Sequence, residues 1–407
     1  MKNANLKILE LFSHKNERDN IKLGLSRIKK ALQGLGYPCK NIPAIQIIGT
    51  NGKGSIAAYL ESILFEAKKN IGVTTSPHLF DICERIRVNK KNIHKTDFEK
   101  IYASIEKNFS KYELTPFEKI FCCALSFFDI KKVELLILEA GLGGRLDATT
   151  AHKLRPIIAI GNIGLDHKEF LGDTIEKIAL EKLAVIEKNS TVISCNQNSK
   201  VENLINKKVK EVGAQIIWKD SISKSYELGL KGIFQKQNAS VAIGAIEALN
   251  NLGFNIKEKY ISEGLKKTTW HGRLEIIDYS NKKILVDCAH NYPAAKALSI
   301  ERNNWENEEK GIYWILGVQR QKDIYAILKT LLKRNDHLLL VPVPNQPSWQ
   351  LKDISQIKEI GFQNIIEFEK FEFAIEYLFA LKKWPTNHPV LTGSIFLVAE
   401  FIKFANK

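Results

Sequence analysis

The sequence predicts an α/β protein of two domains: a P-loop-type domain built on a parallel sheet, then a smaller Rossmann-like α/β domain. A chain of 407 residues is longer than one hydrophobic core usually supports. From Ile45 onward, short β-branched runs alternate with helix-length segments, the pattern of parallel sheets with crossover helices. A glycine-rich loop, GTNGKGS, follows the first run at residues 49–55.

The elements follow in order along the chain. Predicted strands of the first domain cover 45–49, 70–75, 133–139, 156–162 and 190–195. VELLILEAG is nearly all apolar before Glu139, as expected for a strand covered on both faces. Residues 236–268 indicate a helical pair joined at Gly253, and later strands are predicted in GIYWILGV, HLLLVPV, NIIEF and PVLTG. We place the domains at residues 1–275 and 276–407.

Composition narrows the function classes. The net charge is +15, which indicates either general solvation or an anionic ligand. The six cysteines form no CxxC motif, so we expect reduced, buried thiols. Residues 1–12 lack the apolar core of a signal peptide, so we expect a cytoplasmic protein. No run approaches 18 apolar residues, so we expect no membrane partner. The basic residues are scattered without a long basic block, and we expect no nucleic-acid partner.

The glycine loop predicts a phosphate site. A strand, the loop and an amphipathic helix from Ser55 would direct backbone N–H groups and a helix N-terminus at one point. Lys53 adds a positive charge, and the Ser55 hydroxyl is available to Mg²⁺. The spacing departs from GxxxxGK[ST], and glycines also serve tight turns. The predicted triphosphate-binding residues are Thr50, Asn51, Gly52, Lys53, Gly54 and Ser55.

Four further features have both a functional and a plain interpretation. The segment TTSPHLFDICERIRVN, with Arg85 and Arg87, suggests a loop that faces an anion, or a surface turn. Glu139 ends a strand, where a buried carboxylate is costly unless paired or metal-bound. His167 follows the next strand, and an isolated histidine is usually solvated. The helix around Lys182 has the composition of a solvent-facing surface.

GTNGKGS resembles the ATP loop of the Mur ligase superfamily, and specifically its folylpolyglutamate synthase/dihydrofolate synthase branch. The resemblance runs from about residue 24 to 400 through motifs in the family's order. It implies a two-domain Mur-ligase-like fold. It also implies an ATP-dependent ligase that joins L-glutamate to 7,8-dihydropteroate, to tetrahydrofolate (poly)glutamates, or to both, through an acyl phosphate. A monomer is usual for the family.

The resemblance also assigns metal and catalytic residues. NIGLDH makes His167 a magnesium ligand, and Lys182 matches a lysine carbamylated by CO₂ beside a second Mg²⁺. Here Leu183-Ala184 replaces the family's Ala-Gly. The implied cofactors are ATP, two Mg²⁺ ions and, as a further candidate, a monovalent cation. The implied catalytic residues are Lys53, His167 and Lys182, and the implied metal ligands are Ser55, Ser76, Glu139, His167 and Lys182.

Substrate and nucleotide residues come from the remaining motifs. The implied folate-binding set is Pro77, His78, Arg85, Phe117, Asp147 and Ala148, and the remaining nucleotide-binding set is Asn238, Arg273, Asp287 and His290. This chain departs from the family at Thr150, where asparagine is frequent, and at His271, where proline is usual. Cys288 stands for a glycine, and Tyr292 is inserted before the following proline.

Three alternatives stay open. A monofunctional folylpolyglutamate synthase would share all of these motifs. A Mur-type ligase acting on UDP-linked precursors would need a UDP-binding N-terminal domain, and 44 residues precede the first predicted strand. A non-catalytic nucleotide switch or nucleic-acid-binding protein would leave Glu139, His167 and Lys182 without a joint purpose.

Overall fold

The computed structural model describes residues 21–222, 226–303, 305, 310–354, 362 and 364–406; the N-terminal segment 1–12 considered above lies outside them. The chain forms two compact units. The first contains the described residues up to Gly229 together with Phe234–Thr269, and the second contains Leu230–Ile233 and the chain from Trp270. The boundary between Thr269 and Trp270 lies a few residues before the predicted boundary at residue 275, because residues 272–274 form hydrogen bonds with the rest of the second unit. There, the N–H of Cys288 donates to the carbonyl of Gly272 at 3.0 Å.

The described part of the first unit contains an eight-stranded sheet in the order β4-β3-β2-β5-β1-β6-β7-β8. Neighbours from β2 to β8 pair in parallel, and β3 is antiparallel to both β2 and β4. The C-terminal ends of β2, β5, β1 and β6 therefore lie side by side at one edge. The strands are β1 (Ala44–Ile48), β2 (Ile71–Thr74), β3 (Ile86–Val88), β4 (Lys91–Asn92), β5 (Leu135–Glu139), β6 (Ile157–Ile160), β7 (Thr191–Cys195) and β8 (Gln215–Lys219).

Helices cover this sheet and bury two apolar clusters, one containing side chains of β5 and the other side chains of β1, β6 and β7. The helices are α1 (Ser26–Gly34), α2 (Lys53–Glu66), α3 (Lys95–Phe109), α4 (Pro116–Ile130), α5 (Lys168–Leu171), α6 (Ile175–Leu183), α7 (Ser199–Val212), α8 (Ile233–Asn251) and α9 (Glu258–Lys267).

Helix α2 differs from its prediction. It begins at Lys53 rather than Ser55, and every residue from Ser55 to Leu64 is buried. The predicted amphipathic character is therefore wrong, because a helix that is covered on all sides has no solvent-facing stripe. The N-terminal turn of α2, which follows the glycine loop, is thereby fixed inside the unit.

The second unit contains a described six-stranded sheet in the order β13-β12-β11-β14-β10-β9. All of its pairs are parallel except β9 with β10. Two parallel-rich sheets confirm the predicted fold class. The elements are β9 (Glu275–Tyr279), β10 (Lys282–Val286), α10 (Tyr292–Arg302), β11 (Tyr313–Leu316), α11 (Ile324–Leu331), β12 (His337–Leu340), β13 (Ile365–Glu367), α12 (Phe371–Phe379), β14 (Val390–Thr392) and α13 (Ile395–Ala405).

The cysteine expectation is confirmed, since all six thiols are free and buried. Burial raises the pKa of several of them, that of Cys39 to about 12 and that of Cys288 to about 11. The described helices include none with the length and apolarity needed to cross a bilayer.

We predict that Gly264→Ala destabilises the first unit. A Cβ on Gly264 in α9 would lie 2.4 Å from the Cα of Ile63 in α2, and backbone cannot move aside as a side-chain tip can. Alanine normally favours a helix over glycine by about 1 kcal/mol, yet overpacking should lower the free energy of unfolding by about 1–3 kcal/mol. Urea denaturation measures it. Ser262→Ala, at an exposed position of α9, is the control, and unchanged stability of Gly264→Ala would contradict close helix contact.

Candidate active site

The loop between β1 and α2 is fixed against the loop after β6. The carbonyl oxygen of Asn162 accepts the backbone N–H groups of Thr50 at 2.7 Å and Asn51 at 3.1 Å. The Thr50 hydroxyl donates to the carbonyl of Gly164 at 2.9 Å and accepts the N–H of Gly164 at 3.1 Å. A Cβ at Gly161 would lie 2.5 Å from the carbonyl oxygen of Asn51. The segments GTNGKGS and NIGLDH are therefore directly in contact.

Two lysines meet at the carbonyl oxygen of Gly49. Nζ of Lys53 donates to it at 3.2 Å and to the carbonyl of Thr50 at 3.3 Å. Nζ of Lys182 donates to the same Gly49 oxygen at 2.9 Å. Lys182 is 5% exposed, so the solvent-facing interpretation of its helix is wrong at this position. Burial, and then the charge of Lys53, lower the pKa of Lys182 to about 7, which makes a neutral amine abundant near physiological pH.

Helix α8 places two amides beside the glycine loop. Nε2 of Gln235 donates to Oγ of Ser55 at 3.3 Å, and Nδ2 of Asn238 donates to Oε1 of Gln235 at 2.9 Å. Gly52 has a left-handed backbone at φ 85°, and a Cβ there would lie 2.4 Å from Oδ1 of Asn238, so glycine suits both the backbone and this close contact. The sequence had pointed to Asn238 alone. Gln235 could have been predicted as well, because it lies three residues before Asn238 and residues three apart on a helix share a face.

Glu139 and Ser76 are brought together by adjacent strands. Leu138 of β5 lies opposite Thr74 of β2, and the backbone N–H of Ser76 donates to Oε2 of Glu139 at 3.1 Å. Glu139 is buried. Pro77 follows Ser76 through a cis peptide bond. A buried carboxylate thus lies at the same sheet edge as the lysine pair.

His167 lies beyond β6, with a left-handed backbone at φ 48°. Its backbone N–H donates to Oδ1 of Asp166 at 2.9 Å, and its Nε2 is 3.8 Å from Oδ2 of Asp166. The side chain is 42% exposed, and so is accessible to a ligand. The described residues contain no group of three or more His, Cys, Asp or Glu side chains that could hold a metal ion. A metal here would need other oxygen ligands as well.

The loop of residues 75–85 is held from within. Nε of Arg85 donates to Nδ1 of His78 at 2.9 Å, and Arg85 is 2% exposed. Nη2 of Arg87 lies 2.8 Å from Oε2 of Glu61. The idea that both arginines face an external anion is therefore wrong for Arg87, whose charge is paired inside the protein.

The glycine-rich turn after β5 is built around Asp147. Its carboxylate accepts the backbone N–H groups of Gly141, Leu142 and Thr149 at 2.9–3.0 Å and the hydroxyl of Thr149 at 2.5 Å. Burial raises the pKa of Asp147, against these hydrogen bonds. Ala148 is buried in the short helical turn that follows. Asp147 thus shapes the turn with its own carboxylate.

Two neighbours fit against this turn. A Cβ on Gly141 would lie 2.8 Å from the ring of Phe117, so the aromatic ring of α4 packs directly on the backbone. The Thr150 hydroxyl donates to the carbonyl of Gly144 at 2.8 Å and accepts Nε2 of Gln46 at 2.8 Å. Thr150 replaces the frequent asparagine without leaving the turn open.

In the second unit, the predicted residues gather at the end of β10. The Asp287 carboxylate accepts the N–H groups of Leu274 at 3.1 Å and Ala289 at 2.9 Å. Burial raises the pKa of Asp287, and the charge of Arg273 opposes that rise. Nδ1 of His290 donates to the carbonyl of Cys288 at 2.8 Å.

Near Asp287 the chain departs from the family motif at Cys288 and Tyr292, and the surrounding residues accommodate both changes. A Cβ on Gly272 would lie 2.6 Å from Sγ of Cys288, so the Cys288 side chain packs against that glycine. Asn291 caps α10 by accepting the N–H of Ala294. The inserted Tyr292 becomes the first residue of the helix, ahead of its proline.

Comparison with known proteins gives matches along nearly the whole chain. The Mur ligase middle domain model matches residues 47–243, and the dihydrofolate synthetase C-terminal domain model matches residues 272–404. The dihydrofolate synthetase of Saccharomyces cerevisiae is 31% identical over 95% of this chain and 98% of its own. The dihydrofolate synthase/folylpolyglutamate synthase of Bacillus subtilis is 31% identical over 96% of each chain.

A solved structure of a related protein also matches this chain. The bifunctional folylpolyglutamate synthase/dihydrofolate synthase of Yersinia pestis, complexed with AMPPNP and a Mn ion, is 25% identical to this chain. The match covers 99% of this chain and 98% of that chain with a TM-score of 0.85.

We predict that Lys182→Met flattens the pH dependence of stability. The folded-state pKa of Lys182 is lowered from 10.5 to about 7. Between these values the unfolded chain binds a proton that the folded chain does not, so wild-type stability rises with pH, by at most about 1.4 kcal/mol per pH unit from this group. Denaturation in CO₂-free buffer from pH 7 to 10 measures the slope. Lys177→Met, on the exposed side of α6, is the control; equal slopes in wild type and Lys182→Met would refute the buried amine.

Proposed function

The chain belongs to the folylpolyglutamate synthase/dihydrofolate synthase family of the Mur ligase superfamily, and we propose on this premise that it is an ATP-dependent ligase of folate metabolism that uses L-glutamate. The observation that carries the proposal is the meeting of Lys53 and Lys182 at the Gly49 carbonyl. The Lys53 cation beside a phosphate-loop backbone suits a polyphosphate whose terminal group is being transferred, and Lys182 lies close enough to take part.

The acceptor is a folate-type carboxylate: that of 7,8-dihydropteroate, the γ-carboxylate of tetrahydrofolate (poly)glutamates, or both. The yeast relative is named for the first reaction and the Bacillus relative for both. The match of residues 272–404 to the dihydrofolate synthetase C-terminal domain favours this branch over Mur-type ligases that act on UDP-linked precursors. A monofunctional folylpolyglutamate synthase is the alternative.

The chemistry requires an activated acyl group. A carboxylate oxygen of the acceptor attacks the γ-phosphorus of ATP, ADP leaves, and an acyl phosphate forms. The amine of L-glutamate then attacks the acyl carbon, phosphate leaves, the amine nitrogen loses a proton, and an amide remains. Lys53 offsets charge on the transferring phosphoryl group, and the loop backbone around Gly52 orients it.

The residues present fit magnesium. Mg²⁺ is usually held by one or two carboxylates together with substrate phosphates, and Glu139 supplies a buried carboxylate beside Ser76. Ser55 and His167 complete the proposed protein ligands. When bound, Mg²⁺ would neutralise and polarise the phosphate oxygens. The proposed set provides for two Mg²⁺ ions, with a monovalent cation as a further candidate.

Lys182 joins this set as a carbamate. A neutral amine nitrogen bonds to the carbon of CO₂ and loses one proton to solvent, which turns a neutral side chain into an anionic oxygen ligand. The lowered pKa of Lys182 supplies the neutral amine that this step needs. A carbamate would also remove the repulsion between Lys182 and Lys53.

Further binding roles complete the proposal. In the first unit, Asn238 serves the nucleotide with Thr50, Asn51 and Gly54 of the loop, and in the second unit Arg273, Asp287 and His290 have nucleotide-binding roles. Pro77, His78, Arg85, Phe117, Asp147 and Ala148 serve the folate side, with Asp147 acting through the shape of its turn. The protein works as a monomer in the cytoplasm.

We predict that Lys53→Ala abolishes glutamate-dependent phosphate release for practical purposes. Losing one charge contact to the transferring phosphoryl group costs about 10²–10³ in rate. Turnover assays measure the loss, and circular dichroism checks that the chain stays folded. Lys29→Ala, at an exposed position of α1, is the control. A folded Lys53→Ala protein with near-normal turnover would refute the phosphate site.

The proposed activity itself is tested by product formation. With ATP, Mg²⁺ and L-glutamate, we expect a new amide on dihydropteroate, tetrahydrofolate or both, with one ADP released per amide. Chromatography with mass detection identifies the product, and omission of L-glutamate is the control. If neither acceptor gains glutamate, the proposed function is wrong.

A further inference from the structure

Arg87 joins helix α2 to the loop of residues 75–85. Its Nε and Nη2 donate to the Glu61 carboxylate at 2.8–3.1 Å. Its Nη1 donates to Oγ1 of Thr75 at 2.9 Å and to the carbonyl oxygen of Glu84 at 2.6 Å. Arg87, Glu61 and Thr75 are all buried. One guanidinium thus contacts the phosphate-loop helix and both ends of the loop.

The register of the sheet explains why the Arg87 side chain can contact Thr75. In the antiparallel pair of β2 and β3, Val73 lies opposite Arg87. Side chains alternate between faces along a strand, so Thr75 projects on the same face as Val73 and Arg87. The turn after β3 makes a second bond to α2, since Nζ of Lys90 donates to Oγ of Ser62 at 3.0 Å.

The interior of the loop is organised by neighbours of Arg87. The Glu84 carboxylate accepts the N–H groups of Leu79, Phe80 and Asp81 at 2.7–2.8 Å. Arg85 holds the ring of His78, as described above. The loop therefore has a fixed shape of its own. Because Arg87 also binds Glu61 of α2, its bonds to Thr75 and Glu84 connect the loop to that helix.

We propose that Arg87 is a positioning residue, which acts through Thr75 and Glu84 to set Ser76 and His78 relative to the phosphate-binding end of α2. This inference rests on the proposed function, in which the loop serves the folate substrate and α2 begins at the nucleotide. Arginine suits the task because its planar fork binds several acceptors in fixed directions, which a lysine cannot do. Stability alone is a weak explanation, since apolar residues often replace buried ion pairs without loss.

The decisive variant is Thr75→Val, which removes the hydroxyl but keeps the side-chain shape and the Glu61–Arg87 pair. We expect the KM for the folate acceptor to rise about threefold to tenfold, the size of one lost hydrogen bond. The KM for ATP and the affinity for ADP should stay near wild type. Steady-state kinetics and calorimetry measure these values. Thr268→Val is the matched control, because it also loses one buried hydroxyl bond, to the carbonyl of Gly264 at 2.7 Å.

A second pair of variants separates positioning from stability. Arg87→Lys should raise the KM for the folate acceptor at least as much as Thr75→Val. Arg302→Lys removes the two-pronged contact of another buried ion pair, with Asp336 in the second unit, and should lower stability without this selective change in KM.

Two results would overturn the inference alone: an active wild type with an unchanged acceptor KM in Thr75→Val, or equal rises in both KM values. A wild type without glutamate-dependent turnover on either acceptor would overturn the proposed function and this inference with it.

Discussion

The carbonyl oxygen of Gly49 accepts hydrogen bonds from two lysine side chains, and the proposed chemistry depends on this arrangement. Two ammonium groups sharing one acceptor repel each other, and one of them is buried, where water screens the repulsion poorly. Asp166, Asp147 and Glu181 oppose the effect, yet the pKa of Lys182 still falls to about 7. Lys182 therefore loses its proton readily, which relieves the repulsion. A phosphate could then bind beside the charge of Lys53, and a carbamate on Lys182 would no longer repel Lys53.

The sheet order makes this meeting possible. Strand β1 lies between β5 and β6, so the glycine loop at its end has a neighbouring loop on each side. In open parallel sheets, ligands bind at the carboxyl ends of the strands. Glycines then allow close contact: a Cβ on Gly144 would lie 2.6 Å from the carbonyl oxygen of Lys182. Because the turn after β5 has no side chain there, α6 approaches closely enough for Lys182 to reach Gly49.

Sequence reasoning predicts some parts of this arrangement and misses others for physical reasons. Strands such as β1 and β5 were predictable because a strand covered on both faces is almost purely apolar. The position of Glu139 followed from the same pattern. Burial of Lys182 was missed because Glu176, Lys177 and Glu181 give α6 the glutamate–lysine pattern of an exposed helix. Ile178, one turn earlier on the same face, is buried as well. The Glu61–Arg87 pair was out of reach, because it joins residues 26 positions apart and neither residue type is expected inside.

Loops that follow strands in both units share one device, a carboxylate that binds nearby backbone N–H groups. Asp147 and Glu84 each accept three backbone N–H groups of their own loops, and Asp287 accepts one from Ala289 in its own loop and one from Leu274 before β9. A carboxylate used in this way fixes the loop before any substrate arrives. Catalysis by positioning and charge requires groups that need no reorganisation during the reaction. These acids therefore contribute rigidity to the loops that they bind.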